Sequence, residues 1–327
     1  MQDLYSDRLL HLAAHLYYIN GMKQAQLGKY LKISQAKVSR LLSMAQERGI
    51  VRIIVADFDP RDRELEARLR TQLGLATAVV IKAPQELSPE ELRKVLGRFA
   101  AGEIQSMIRS KDVIAIGSGR NVRELVRNFS LSTNKRITVV QSVGNVDASV
   151  HDFDAQEIGR VFSQRLGGDF LTLNMPAFVP AKKIRDALFA IDQFRVVNSY
   201  LDQARLALVG VGTLDNSVFI ERSMLKAKDI AGLKSAGAVG EIGGRFYDAS
   251  GRECDTCWRD QVLSIELNRL AAIPQVIGVI SGTDRSTSIL AAIAGGFLKG
   301  LVIDETGARA LLEAATRPTT AKTKGKK

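Results

Sequence analysis

Apolar residues recur at helical spacing through the first fifty positions. Leu9, Leu12, Ala13 and Leu16 share one face of a helix expected over about residues 4–18. Leu27 and Leu31 lie one turn apart on a second helix, and Val38, Leu41, Leu42 and Ala45 repeat the pattern on a third. Between the second and third stands Lys32-Ile33-Ser34, with Ile33 placed to be buried at a corner and Ser34 to cap the third helix. Gly49 stops that helix, and residues 51–55 (Val-Arg-Ile-Ile-Val) alternate like a strand or wing. A polar stretch with Pro60 comes next, then a short helix over 64–73 with Leu65, Leu69 and Leu73 inward.

From Ala76 the period changes. Apolar strands are expected at 78–81, 113–116, 137–140, 170–173, 206–209, 276–280 and 301–303. Helix-like stretches fall between them at 89–108, 122–129, 155–166, 184–189 and 286–294. Strands alternating with helices imply right-handed crossovers and a mostly parallel, doubly wound sheet covered on both faces. The expected organisation is a trihelical, winged helix-turn-helix head over 1–56 and a linker with a spacer helix over 57–74. A large α/β domain over 75–314 and a disordered basic tail over 315–327 complete it.

Charge sharpens this division. The net charge is +11, but residues 57–314 carry 33 Lys/Arg against 32 Asp/Glu. Residues 1–56 carry eight against three, and 315–327 five against none. A polyanion partner is therefore expected at the head. The third helix presents Gln35, Lys37, Ser39 and Arg40 outward with no acidic residue among them. Polar and basic side chains on a capped helix, angled by a partner helix, suit the major groove of DNA. Gln24, Ser34, Gln35, Lys37, Ser39 and Arg40 are the candidate DNA-contacting residues. Gln35 and Lys37 are placed for base edges, Ser39 for a base or phosphate, and Arg40 for a phosphate.

No metal or cofactor is expected. His11 and His15 stand four apart on a helix but lack a further ligand. Cys254 and Cys257 form one C-x-x-C pair without the two ligands a structural zinc needs, and read as reduced cysteines of a cytoplasmic protein. There is no secretory signal pattern, and no apolar run approaches the roughly 20 residues of a membrane span.

In doubly wound sheets, ligands bind beyond the carboxyl ends of the strands. Four turns at such ends are rich in glycine and small polar residues. They are Gly117-Ser118-Gly119-Arg120-Asn121, Gln141 to Asp147 with Gly144 and Asn145, Gly210 to Thr213, and Ser281 to Arg285. Glycines let backbone approach a ligand, amides at a helix start favour an anion, and the Arg285 guanidinium can clamp a phosphate. None completes a dinucleotide or P-loop pattern.

The segment LGKYLKISQAKVSRLLSMAQERGIVRI resembles the DNA-binding part of SorC/DeoR-type sugar-responsive transcriptional regulators. DVIAIGSGRNV, TVVQSVGNVD, LNMPAFVP, LALVGVGTL, GAVGEIGGRFYDASGRE and VIGVISGTDRSTSILAAIAGGFLKGLVIDE resemble the SorC sugar-binding domain, in the family's order. The resemblance implies a fold similar to the ribose-phosphate isomerase and glucosamine-phosphate deaminase group. It also implies a sugar, polyol or sugar-phosphate effector and a homo-oligomer, dimer or tetramer, on operator DNA. By position, Gly117, Ser118, Gly119, Arg120 and Asn121 would form the phosphate-side loop, and Glu241 would meet sugar hydroxyls. Arg285 stands where relatives usually carry a phosphate-contacting lysine, and Asn121 where a threonine is usual.

The expectation is a ligand-controlled regulator of a carbohydrate or polyol operon, without catalytic residues. The alternative is a sugar-phosphate isomerase or deaminase with an appended head. Such an enzyme needs an acid/base group beside the sugar, and no histidine stands in the four turns. Asp248 reads as a turn residue in Asp248-Ala249-Ser250-Gly251.

Overall fold

A computed structural model describes residues 5–54, 58–132 and 135–317. The chain divides into two compact units, Met1–Phe58 and Asp59–Lys327.

The first unit is helical. Helix α1 (Asp7–Ala14) starts at Ser6, whose hydroxyl accepts the Leu9 amide, and continues as a π-helical turn, His15–Ile19. It is followed by α2 (Gln24–Leu31) and α3 (Gln35–Glu47). The corner between α2 and α3 is closed by Lys32 in the left-handed region, φ 54°. A Cβ on Gly28 would lie 2.9 Å from the Ile33 carbonyl oxygen, so the chain turns this tightly only over glycine. Ser34 caps α3 by accepting the Lys37 amide at 3.3 Å. Leu10, Ala13, Leu27, Val38, Leu41 and Ala45 are fully buried at the centre. Leu12, expected inward, is exposed. Leu10, Ala13 and Ala14 make the buried stripe instead, with Leu9 and Leu16 at its margin. Residues 51–54 form no strand: Val51 bonds back to the Ala45 carbonyl, and this unit offers no second strand to pair with among the described residues. Val55, the end of the expected wing, lies outside the described residues.

In the second unit the strands are β1 (Thr77–Ile81), β2 (Val113–Ile116), β3 (Ile137–Gln141), β4 (Gly168–Leu171), β5 (Leu206–Val209), β6 (Ala238–Ile242), β7 (Arg245–Asp248), β8 (Gln275–Val279) and β9 (Gly300–Asp304). Seven of them pair in parallel in the order β1-β9-β8-β5-β2-β3-β4. Successive side chains enter opposite cores. Val80, Ala115, Val140, Ala207 and Leu301 face one, while Val79, Ile114, Val139, Leu208 and Val302 face the other. Both faces are covered along most of the sheet, which is why its strands read as apolar runs, apart from edge strand β4, which is partly exposed and carries Asp169.

The stretch expected as linker and spacer is largely built into this unit. Helix α4 (Arg63–Leu73) buries Leu65 and Leu69 in the core. Arg61 grips buried Glu66 through two bonds, 2.7 and 2.9 Å, and also pairs with Glu103. Glu66 accepts the Val80 amide of β1 as well. Helix α5 (Pro89–Met107) packs on α6 (Arg120–Arg127) so closely that a Cβ on Gly97 would meet Glu124 backbone at 2.5 Å.

The antiparallel pair β6–β7 was not expected as strands. Its two-residue turn, Gly243 (φ 58°) and Gly244 (φ 81°), has the positive φ angles that a tight hairpin needs. Further helices absent from the pattern reading are Asp192–Asp202, Val218–Glu221, Ala227–Ser235, Leu267–Ala272 and Glu305–Thr316. The last carries Ala315 and Thr316, which were assigned to the basic tail; residues 318–327 lie outside the described residues.

Candidate functional site

Following β2→β3→β4 the chain steps one way across the sheet, and from β5 through β8 to β9 it steps the other way. The reversal falls between neighbours β2 and β5, the place where a doubly wound sheet opens a crevice at its carboxyl edge. A cavity of about 380 Å³ lies there. The turns after β2, β5 and β8 converge on it, with hairpin residues Glu241 and Gly243 and the start of α5.

Close backbone contacts fit these turns together. Gly119 sits at φ 140°, which only glycine adopts readily, and its would-be Cβ meets the Gly210 Cα at 3.6 Å. Gly212 exchanges backbone hydrogen bonds with Glu241, 2.9 and 3.0 Å, and a Cβ there would sit 2.8 Å from Glu241 Oε2. The turn after β8 is anchored by buried Asp304, which accepts the Gly282 amide at 2.6 Å. Asn216 ties two turns together by accepting the Thr213 amide and donating to Asp284 at 3.1 Å.

Glu241 is the buried carboxyl of the cavity. Burial pushes its pKa up, against the lowering effect of the Gly244 amide and the Ser217 hydroxyl that donate to it. Arg285 donates to the Ser281 carbonyl and to Asp284, both at 3.0 Å. Arg120 pairs with Glu221 at 2.7 Å and lies over the Phe153 ring, 4.4 Å from its centre. Arg93, on α5, also reaches the cavity wall.

Of the residues expected around an effector, Ser118, Gly119, Arg120, Asn121, Glu241 and Arg285 line this one cavity. Gly117, Gly144 and Asn145 do not line it. Gly117 is buried where its would-be Cβ meets Leu208 and Val209 of β5. Gly144 donates to Leu263, and its would-be Cβ falls 2.5 Å from the Pro176 carbonyl oxygen. Asn145 exchanges backbone bonds with Met175 and Ala177 and accepts from Gln141. The turn after β3 is thus consumed in joining the 175–177 segment to the fold. Arg93, Asn216 and Phe219 line the cavity without having been singled out from the sequence. Asp248 accepts the amides of Ser250 and Arg252, closing the turn after β7.

In the helical unit, Ser34, Gln35, Lys37, Ser39 and Arg40 are all exposed, whereas Gln24 at the start of α2 is half-buried. No acidic residue lies in the first turn of α3.

Residues 60–313 match the protein family described as "Putative sugar-binding domain". The chain belongs to the SorC family of sugar-binding transcriptional regulators. It is 29% identical over 318 residues to the sorbitol operon regulator of Klebsiella pneumoniae, covering 96% of this chain and all of that one. It is 30% identical over 310 residues to the deoxyribonucleoside regulator of Bacillus subtilis, covering 92% and 96%. The crystal structure of full-length SorC from Klebsiella pneumoniae matches with a TM-score of 0.75 at 28% identity, over 95% of this chain and 100% of that one. These relatives are regulators, which decides against the isomerase or deaminase alternative for this SorC-family chain. Among its described residues, no helix is long and apolar enough to cross a membrane.

Proposed function

We propose that this regulator acts in the cytoplasm on a carbohydrate or polyol operon, and that a sugar, polyol or sugar phosphate held in the cavity sets its operator affinity. The observation that carries this reading is the cavity at the switch point, where Arg120, Arg285, Asn121 and buried Glu241 surround a space fit for a small polar ligand. Glu241 suits hydroxyl donors, and Arg285 suits phosphate or polyol oxygens. The exposed Gln35–Arg40 face of α3 reads the operator. One three-helix head makes few base contacts, so a homo-oligomer on a two-part operator is the working form.

A ligand that binds both DNA-competent and DNA-incompetent states equally shifts nothing, so the effector must favour one of them. A coupling of about 1–3 kcal/mol changes operator affinity some 5–150-fold. The test pairs an operator shift assay with calorimetry on sugars, polyols and their phosphates. Arg285→Ala should keep operator affinity and lose the response to whichever compound regulates the wild type. Full response in that variant would move the effector elsewhere, and lost operator binding would make Arg285 a structural residue.

A further inference from the structure

The sheet unit begins at Asp59, where the head ends at Phe58. Residues 59–62 form a strap laid against edge strand β1. The Asp62 amide donates to the Val80 carbonyl at 2.9 Å and the Lys82 amide to the Pro60 carbonyl at 2.8 Å, an antiparallel bridge between Arg61 and Ile81. In the sheet, Ile81 is paired with Asp304, the last residue of β9. Asp304 is buried and stands behind the wall of the switch-point cavity, not in it. One of its carboxyl oxygens accepts the Gly282 amide of the cavity turn after β8. The other accepts the Gly307 amide at 2.9 Å and the Thr306 hydroxyl, at the start of the helix Glu305–Thr316. That start fits the turn so closely that a Cβ on Gly307 would lie 2.7 Å from the Gly282 carbonyl oxygen. Farther along the same helix, Arg309 reaches Asp62 of the strap at 3.8 Å. A second tie runs through α5, whose first turn lines the cavity and whose Glu103 pairs with Arg61.

We propose that Asp304 is the positioning residue that passes the state of the cavity to the strap leading to the head. A ligand that shifts the Ser281–Arg285 turn shifts Asp304 with it, and β9, β1 and the Glu305–Thr316 helix carry the movement to residues 59–62. The inference rests on the reading of the cavity as the effector site. Buried groups that share one carboxyl cannot part without leaving a donor or acceptor unpaired, so the turn and the helix start move together. Three laterally joined residues, Asp304, Ile81 and Arg61, lie between the cavity turn and the strap. Such a chain carries coupling only if ligand and DNA each favour one of its arrangements, and that can be measured.

The experiment uses the full chain and a DNA fragment selected by the wild type from a random pool. The probes are sorbitol, erythritol and 2-deoxyribose, each beside its phosphomonoester. Calorimetry gives probe affinity, a shift assay gives DNA affinity with and without probe, and amide exchange of Asp62 and Lys82 follows the strap. In the wild type a bound probe should alter exchange at both amides and change DNA affinity some 5–150-fold. Asp304→Asn keeps the side chain's shape but sets an NH2 group against either Gly282 or the helix start. It should bind the probe within about threefold of wild type and bind DNA normally without probe, while the DNA response falls below about twofold. Exchange at Asp62 and Lys82 should then ignore the probe. A merely structural Asp304 would lower the melting temperature and leave the ratio of DNA affinities with and without probe unchanged. Glu103→Gln, at a half-buried position, should fold normally and lose a smaller part of the response. A full response in Asp304→Asn, loss of probe binding in it, or strap amides indifferent to the probe in the wild type overturns the proposal. Should Asp304→Asn fail to fold, an undiminished response in Glu103→Gln overturns it instead. If Arg285→Ala abolishes probe binding while Asp304→Asn responds in full, the cavity reading stands and this one falls. If no probe binds the wild type, or Arg285→Ala leaves binding and response intact, the cavity reading falls and takes this with it.

Discussion

The head and the sheet unit hold their candidate contact residues in opposite ways. In the head, Val38, Leu41, Leu42 and Ala45 hold α3 in place, while Gln35, Lys37, Ser39 and Arg40 stand outside that core. Two of the candidate contact residues also touch the fold: the Ser34 hydroxyl caps the helix, and the Lys37 ammonium lies 5.9 Å from the centre of the Tyr5 ring. In the sheet unit the candidate ligand groups are part of what holds the site together. Glu241 receives the Gly244 amide at the hairpin turn, Arg285 closes its own loop onto Ser281, and Gly212 is pressed against Glu241. A reading surface can change without cost to the fold, whereas a cavity built from mutually bonded loops cannot. Loss of function on the α3 face therefore reports contact, while loss of function in the cavity has to be separated from loss of structure.

The strongest way to sharpen this contrast is to break the sheet unit away from its cavity. Glu66 is buried, held by Arg61 at two points, and accepts the Val80 amide. Glu66→Ala leaves that guanidinium partly unpaired and should cost about 3–5 kcal/mol. The single tryptophan, Trp258, is buried in this unit and donates to the Gly244 carbonyl at 2.7 Å, so its fluorescence tracks the sheet unit's unfolding. A urea midpoint for Trp258 unchanged by Glu66→Ala would show that α4 is a spacer after all.

Next in size is a substitution in the head that should touch no fold at all. Gln35→Ala should weaken binding to the cognate operator by about 1–3 kcal/mol and alter base preference. Its own melting, monitored by circular dichroism, should stay within about 0.5 kcal/mol of wild type, as expected for an exposed site. Normal affinity with normal stability would remove α3 as the reading helix. Reduced affinity accompanied by reduced stability would mean that the head is as entangled as the cavity.

The contrast also explains what could be read in advance. Six of the sheet strands were legible because their residues are largely buried and apolar, whereas edge strand β4, Gly-Asp-Phe-Leu and partly exposed, was placed two residues late, at 170–173. The β6–β7 hairpin was not legible, because Gly240 and Glu241 interrupt its apolar run. Its Gly243-Gly244 turn was a usable signal all the same. Glycine-rich turns could be recognised singly, but not which of them converge: the turn after β3 looks like its neighbours and is spent on 175–177. Arg93 was missed for a similar reason. A charged residue on an amphipathic helix reads as solvent-facing, and only the folded arrangement of α5 beside the turns after β2 and β8 makes it part of a cavity wall. In the head, helical spacing gave the three helices, but one residue of phase in α1 exchanged Leu12 for Leu10.

The smallest expected effect tests whether even the hairpin's outer turn is tied to the sheet unit's stability. Burial alone would raise the Asp248 pKa. The Ser250 hydroxyl, the Arg252 and Ser250 amides and the Arg252 guanidinium outweigh it and bring the carboxyl down to about 2. The folded state therefore prefers the carboxylate more strongly than the unfolded chain, whose value is near 3.8. The resulting stability is fully present above about pH 5 and is lost as pH falls from about 4 towards 2. The turn is partly open to solvent, so the contribution should be nearer ~1 kcal/mol than the ~2.4 kcal/mol that the full shift would give. Urea unfolding of wild type and Asp248→Asn, monitored through Trp258 at pH 6, 4 and 3, should show the wild-type advantage shrinking with acid. An advantage that stays constant across this range would place the role of Asp248 in its shape as a turn residue rather than in its charge.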